Sequence, residues 1–543
     1  MLLLLLAAPA CHAQTPVNIE ITRRDAAVLE VRYMLPPSCP GLAFANDGIR
    51  PEQAAAMRAD WTALDDCAVI DAQGVRPKDA TCTSLRLRVP ATDRAQDGLY
   101  DRTYPWAQPV GEGTYVHTSA YAVRDTCGAV GWTFAAPGGT VVLDGVASAA
   151  QAATSAPGAG YLPALLIARP YDQDALPLLL DTNVTPAVRA FMEATLAQSR
   201  SALQAMLPDL AFGPSYVVAR AAEMSRWRSD VANRTTLRVS LPLALTPDSE
   251  LRSRGLIAHE TAHFLQPGTV TGDWRGEQAA VMEGGAEFLR LAVLARRGWI
   301  TLALLQDEME AALNECVLNM DGKALTASQA RGRGMLPYRC GLALHLLGLG
   351  HGAENGSAKS SALQRLNDYY RDAKAGAAPD VARAFECGAD AACTPHWLPR
   401  VLGSEPLAGI VADWRRRPAS LVNENPAWGP ALTRAVANWH LGQLMATDCG
   451  GKISLYTEPG QVRIGHLDSC KTLRENMVVL ALEGLPLYAD GGALKASLQA
   501  CRQRGATVLG LAGGARLNVA CDAATQGARV FGIDPVRARA LFD

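Results

Sequence analysis

Twelve of the thirteen cysteines in this 543-residue chain fall into three groups of four, separated by long cysteine-free intervals. The groups are 39, 67, 82 and 127; then 316, 340, 387 and 393; then 449, 470, 501 and 521. A disulfide holds its two Cα atoms within about 7 Å. Local, even groups therefore predict three segments, each closing two bridges and each with its own core. Length argues the same way, because one hydrophobic core does not organise a chain of this size. No spacing in any group resembles a CxxC metal knuckle.

The thirteenth cysteine, Cys11, lies in the opening stretch MLLLLLAAPACHAQTP. Its apolar run is too short to span a bilayer and ends in small residues before Gln14, the pattern of an export signal. Residues 1–13 are expected to be a signal peptide and the protein to be periplasmic or secreted, in keeping with disulfides. A lipoprotein acylated at Cys11 is the weaker alternative, because Ala8 stands where such sites prefer leucine. A composition of 49% hydrophobic and 19% charged residues is that of a globular protein. The net charge of −2 supplies no general attraction to nucleic acid or to an anionic membrane. No transmembrane segment is expected.

Residues 14–150 read as a β domain. "VNIEITRRDAAVLEVRYML" and "SLRLRVP" alternate apolar and polar residues between Gly, Pro and Asp punctuation. "ASAAQAATSAPGAG" (147–160) reads as a linker of small residues. From 161 the period changes: "LPALLIA" is a buried strand, "TPAVRAFMEATLAQSRSALQAML" an amphipathic helix, and further helices run to about 425. Residues 161–425 are expected to form a second domain. The tail, 430–543, returns to short strands with one helix, "GALKASLQACRQRG". The predicted fold class is multidomain α+β: a sandwich-like β domain, a mostly helical middle domain and a small mixed tail.

The middle segment carries "GLIAHETAHFLQPG" (255–268), with two of only nine histidines. Thr246 can cap this helix, Pro247 suits its first position, and Pro267-Gly268 ends it. His259 and His263, one turn apart, share a face beside the stripe Leu251, Gly255, Ala258, Ala262 and Leu265. Two imidazoles so placed can bind one Zn²⁺, with Glu260 beside a water held there. "EQAAVMEGGAEFLRLAVLARRG" (277–298) reads as the returning antiparallel helix. Glu283 follows His263 after nineteen residues and is the expected third ligand. Gly284, Gly285 and Ala286 remove bulk so that these two helices can approach. Glu287, one turn beyond Glu283, can accept the free N–H of a ligating histidine and fix its tautomer.

These motifs resemble the gluzincin metallopeptidases, in which HExxH is completed by a glutamate on the following helix. "MEGGAEFL" is similar to the NEGxA segment of the aminopeptidase N family and the SEGxT segment of the PDZ-bearing glycyl aminopeptidase family. The Glu283–Glu287 spacing is similar to the ExxxD of thermolysin-like enzymes. "PYRCGLALHLLGLG" (337–350) resembles the YxKG helix of both aminopeptidase families, which implies that Tyr338 hydrogen-bonds the developing oxyanion. Arg339-Cys340 replaces the usual acidic–lysine pair. His345, in the same apolar helix, reads as a packed residue. "ENMVVLALEGLPL", a helix, then "ATVLGLAGGARLNVAC" resembles the second half of a PDZ domain, although Glu475-Asn476 stands for the usual Gly-Asp.

The resemblance implies a thermolysin-like catalytic domain and an exported zinc peptidase acting on peptide or protein substrates. His259, His263 and Glu283 would hold Zn²⁺, Glu260 would be the general base and Tyr338 the oxyanion donor. No GxMEN-like element for a free substrate amine is found; "SDVANRTTLRVSLP" occupies that region. The strand around Thr236 to Leu241 is expected to pair with an extended substrate. The alternative is a non-catalytic, zinc-stabilised scaffold whose PDZ-like tail captures peptides, although a structural site has no use for Glu260. Oligomeric state is not legible.

Overall fold

The computed structural model of the chain describes residues 16–45, 55–56, 58–92, 107–155, 162–170, 178–222, 229–232, 234–267, 277–320, 336–354, 361–388, 395–403, 405–416, 420–449, 453–458, 460–467, 470–540 and 542. The expected signal peptide, with Cys11, lies outside them. The described residues form two compact units. One comprises those up to Ala194 with Phe212–Ser253; the other comprises Thr195–Ala211 with those from Arg254 onward.

The first unit begins with strands β1 (Val17–Arg23), β2 (Val28–Met34), β3 (Leu42–Ala43), β4 (Thr62–Ala63), β5 (Ala68–Ile70), β6 (Gly74–Pro77) and β7 (Ser84–Pro90). It continues through β8 (Ala107–Val110), β9 (Gly113–His117), β10 (Val130–Leu143), β11 (Val146–Thr154) and β12 (Pro163–Ile167). Nine of these form one sheet in the order β4-β7-β2-β1-β10-β12-β9-β8, with β11 on β10, while β3, β6 and β5 form a second sheet. Ile19, Val31 and Leu87 of the large sheet and Leu42 and Val75 of the small one share a core with Phe44 and Trp61. Strands β1, β2 and β7 stand where the alternation predicts strands.

Two expectations about its end are corrected. Residues 147–154 are not linker but strand β11, antiparallel to β10 across a two-residue turn at Asp144 and Gly145. Both turn residues have positive φ (49° and 78°), the hairpin geometry that Asp-Gly favours. The strand is mostly exposed and needs no large side chains. The run at 163–167, read as the start of the second domain, is β12, paired with β10 and β9. It is buried on both faces, because Tyr216 and Val218 pack on Leu165 and Ile167.

Tyr216 and Val218 belong to a further sheet of β13 (Leu178–Leu180), β14 (Tyr216–Ala222), β15 (Ser229–Ala232) and β16 (Thr236–Pro242), ordered β13-β14-β16-β15. The strand expected to pair with substrate is β16. It is hydrogen-bonded to β14 over Thr236–Pro242 and, on its other side, to β15 over Thr236–Val239, so among the described residues Thr236–Val239 offers no free edge to a substrate.

Helix α1 (Pro186–Met206) and the motif helix α2 (Pro247–His263) precede α3 (Glu277–Arg296), α4 (Leu302–Asn319), α5 (Leu336–Glu354) and α6 (Ala362–Lys374). Short helices α7 (Leu398–Leu402) and α8 (Leu407–Arg415) and a long one, α9 (Pro430–Cys449), lead into the tail. There α10 (Gly492–Arg504) and α9 pack on strands β18 (Ile453–Glu458), β19 (Gln461–Leu467), β20 (Val478–Leu482), β22 (Ala506–Leu511) and β23 (Arg516–Ala520). The brief strands β17 (Val422–Asn423), β21 (Leu485–Pro486) and β24 (Gly532–Ile533) complete the set.

The tail lies in the same compact unit as helices α3 to α8. Ala311 and Leu318 of α4 enter its core beside Leu432, Val436 and Leu444 of α9. Polar side chains of α4 grip it as well. Asp307 accepts the N–H groups of Ala431 and Leu432, and Glu310 those of Ala427 and Ile533. Asn314 exchanges two bonds with the backbone of Phe531.

The described bridges are Cys39–Cys127, Cys67–Cys82, Cys316–Cys340, Cys449–Cys470 and Cys501–Cys521. Each stays within a predicted group of four. Among the described residues, no helix is long and apolar enough to cross a membrane.

Candidate metal centre

Helix α2 starts as its sequence requires. Ser249 N–H donates to Thr246 Oγ1 (3.2 Å) and Thr246 N–H to Ser249 Oγ (2.7 Å), with Pro247 opening the helix. Asp248 and Glu250 in the first turn suit its positive end. After His263 the backbone tightens into i→i+3 bonds, from Leu265 to Ala262 and from Gln266 to His263. That tightening turns the Gln266 side chain back toward His263.

Three expected residues converge at the end of α2. The Nε2 atoms of His259 and His263 are 3.1 Å apart, and Glu283 Oε2 lies 3.5 Å from the first and 3.3 Å from the second. Glu283 Oε2 is buried with no hydrogen-bond partner, an orphaned acceptor facing two imidazole nitrogens. The far sides of the rings are occupied. His259 Nδ1 is 2.8 Å from Glu287 Oε1, and His263 Nδ1 is 2.7 Å from Gln266 Oε1.

The Gln266 amide can be oriented from its other contacts. Its Nε2 donates to the Met282 carbonyl (2.6 Å) and the Tyr370 hydroxyl (3.1 Å), so Oε1 accepts from His263 Nδ1–H. His263 Nε2 is thereby left bare toward the cluster. Burial opposes protonation of His259, but Glu283 and Glu287 outweigh it and raise its pKa to about 10. Burial also opposes ionisation of both carboxyls, yet each is held well below its usual range. For Glu283 the neighbouring imidazoles do this, and for Glu287 Arg290 does so first and His259 next. The cluster attracts positive charge at its centre, which a divalent cation supplies without a proton. Two imidazoles and a carboxylate on a shared point fit zinc, with a position left open.

Tyr338 enters from α5. Its ring stacks on His259 (centroids 5.7 Å apart, 18° between planes). Burial, then the Glu283 and Glu260 carboxylates, raise its pKa well above the ordinary value, so the hydroxyl remains a neutral donor. Glu260 is buried beside the same groups.

The Gly-Gly pair serves a different helix from the one expected. A Cβ on Gly284 would lie 2.2 Å from Gly341 Cα, and one on Gly341 2.0 Å from the Ala280 carbonyl. The helix that comes close is therefore α5, not α2. This crossing sets Tyr338, one turn before Gly341, against Glu283. Gly285 makes room for the Tyr370 hydroxyl, which a Cβ there would approach to 2.2 Å. That hydroxyl donates to the Val281 carbonyl (3.1 Å).

A charged chain continues outward. Arg290 reaches Glu287 (2.9 Å) and Glu308 (3.0 Å), and Arg339 lies 3.7 Å from Glu308 and 3.4 Å from Glu315. His345 is packed between Phe288 and Phe385. Burial, then Arg365, lowers its pKa to about 3, so it is a neutral core residue as expected. Gln266, Tyr370, Arg290 and Glu308 were not anticipated. Gln266 had a signal: a polar residue three positions after His263 in an otherwise apolar helix end. Tyr370, far along the chain, had none.

No protein-family profile matches the sequence, and comparison with curated proteins finds no match. Among solved structures, the chain is similar in fold to an aminopeptidase N family protein from Idiomarina loihiensis. That match has a TM-score of 0.58 at 10% identity and covers 97% of this chain and 100% of that one. A mutant of the M1 zinc metallopeptidase from Deinococcus radiodurans, bound to a Tyr-Ser-Ala substrate, matches at a TM-score of 0.30 and 16% identity over 65% of this chain and 85% of that one. Native yeast LTA4 hydrolase matches at 0.35 and 12% over 80% and 78%. The last two are too distant to bear on the fold, which the first match places with aminopeptidase N-like multidomain proteins.

Proposed function

We propose that the protein is an exported zinc-dependent peptidase whose metal is held by His259, His263 and Glu283. The observation that carries this reading is the orphaned Glu283 Oε2 facing two imidazole Nε2 atoms, with His263 Nδ1 hydrogen-bonded to Gln266 and His259 Nδ1 lying 2.8 Å from Glu287 Oε1. The fold shared with an aminopeptidase N family protein supports it. Zinc bound there would supply a Lewis acid that polarises a carbonyl and acidifies water.

The chain's own residues do the rest. Glu260 takes a proton from the attacking water and returns it to the leaving amine nitrogen. Tyr338, a neutral donor, hydrogen-bonds the carbonyl oxygen as negative charge develops on it. Glu287 and Gln266 accept the two imidazole Nδ1–H groups and hold the rings in the ligating tautomer. The substrates are peptides or proteins. In the tail, the order β20, α10, β22, β23 supports a PDZ-like module, here sharing a core with α4.

Three measurements test these roles. Gln266→Leu should weaken zinc binding about 10–100-fold, read by titration against a competing chelator. Unchanged affinity would remove Gln266 from the centre. Tyr338→Phe should lower kcat by roughly 10²–10³ with KM and melting temperature little changed, the usual loss for one oxyanion donor. Turnover within about threefold of the parent would make Tyr338 a packing residue. Cleavage should not require a free substrate amine, since no element to hold one is recognised. Matched free and N-acetylated peptides decide this, and strict dependence on the free amine would overturn it.

A further inference from the structure

Tyr338 is followed by two residues that lead away from the centre to α4. Arg339 forms ion pairs with Glu308 and Glu315, and Cys340 is bonded to Cys316. The first turn of a helix lacks half of its intrahelical bonds and frays unless it is tied down. Tyr338 is the third residue of α5, so its placement depends on such ties. Glu308 is shared: it also holds Arg290, which holds Glu287, which faces His259 Nδ1. The tyrosine and the histidine it stacks on are thus both referenced to α4. That helix is itself fixed by the bonds of Asp307, Glu310 and Asn314 to the tail.

We propose that Arg339 and the Cys316–Cys340 bridge are positioning groups that hold the first turn of α5 on α4 and so keep the Tyr338 hydroxyl at the metal centre. This rests on the proposed donor role of Tyr338. Two variants test it, Cys316→Ala/Cys340→Ala and Arg339→Gln/Glu315→Gln. The second change in the latter pair avoids leaving Glu315, whose pKa burial already raises, without its cation.

Each variant should lower kcat about 10- to 100-fold, as expected for a catalytic group misplaced by an ångström, with KM and zinc content unchanged. In a Tyr338→Phe background the same changes should cost nothing further, because the hydroxyl they position is absent. A readout independent of activity and metal is 3-fluorotyrosine at position 338. Its fluorine resonance should be single and narrow in the otherwise unaltered protein, and broadened or split in both variants. An unchanged resonance, or losses that persist undiminished in the phenylalanine background, would overturn the proposal. If Tyr338→Phe itself leaves turnover intact, the donor role falls, and the fluorine spectrum alone decides the positioning.

Discussion

Glu260→Gln should leave zinc bound and lower turnover by roughly 10²–10⁴, the contribution of a positioned general base. The replacement keeps size and hydrogen-bonding capacity at a buried position, so folding should survive. What it removes is the proposed base, a role that the other residues of the centre are not placed to fill. His259 and His263 turn their Nε2 atoms toward Glu283, and Glu287 is engaged with His259 and Arg290. Glu260 is also among the carboxylates that favour positive charge on His259, so zinc affinity should weaken modestly without being lost. Turnover per zinc-loaded molecule, with zinc counted by elemental analysis, checks this. A variant within about tenfold of the parent would remove Glu260 from the base role.

Gly341→Ala should be among the most damaging single-methyl additions in the chain. The new Cβ would meet the Ala280 carbonyl at 2.0 Å and Gly284 Cα at 2.5 Å, both backbone atoms of α3 that no rotamer change can move. The helices must separate, at a cost of about 3 kcal/mol, the upper range for overpacking. For a unit of this size that lowers the melting temperature by roughly 5 °C. Separation also carries Tyr338 away from His259 and Glu283, so activity should fall further than stability. Gly285→Ala should be milder, because it meets the tip of Tyr370, which can shift while forfeiting its bond to Gln266. A normal melting temperature and normal turnover in Gly341→Ala would contradict the close crossing.

The difference between these glycines illustrates what a single sequence discloses. That a mid-helix Gly-Gly pair needs a reason was legible; which helix supplied it was not. Gly341 lies far along the chain, and nothing local says that it meets Gly284. The α2 start was readable because capping is local chemistry, and Glu287 because residues four apart share a helix face. Strand β12 was misplaced because a strand buried on both faces loses the alternation that identifies its sheet. The β10–β11 hairpin was missed for a different reason. Its Asp144-Gly145 signal was present, but the run of small residues after it looked like linker, and an exposed strand tolerates such residues.

Hydrolysis of peptide bonds by these residues is tested with zinc-loaded protein incubated with a mixed peptide library, with products read by mass spectrometry. New fragments should accumulate with the wild-type protein, disappear when a chelator removes the metal, and be nearly absent with Glu260→Gln at equal zinc occupancy. A library left intact by fully zinc-loaded wild-type protein would contradict the account.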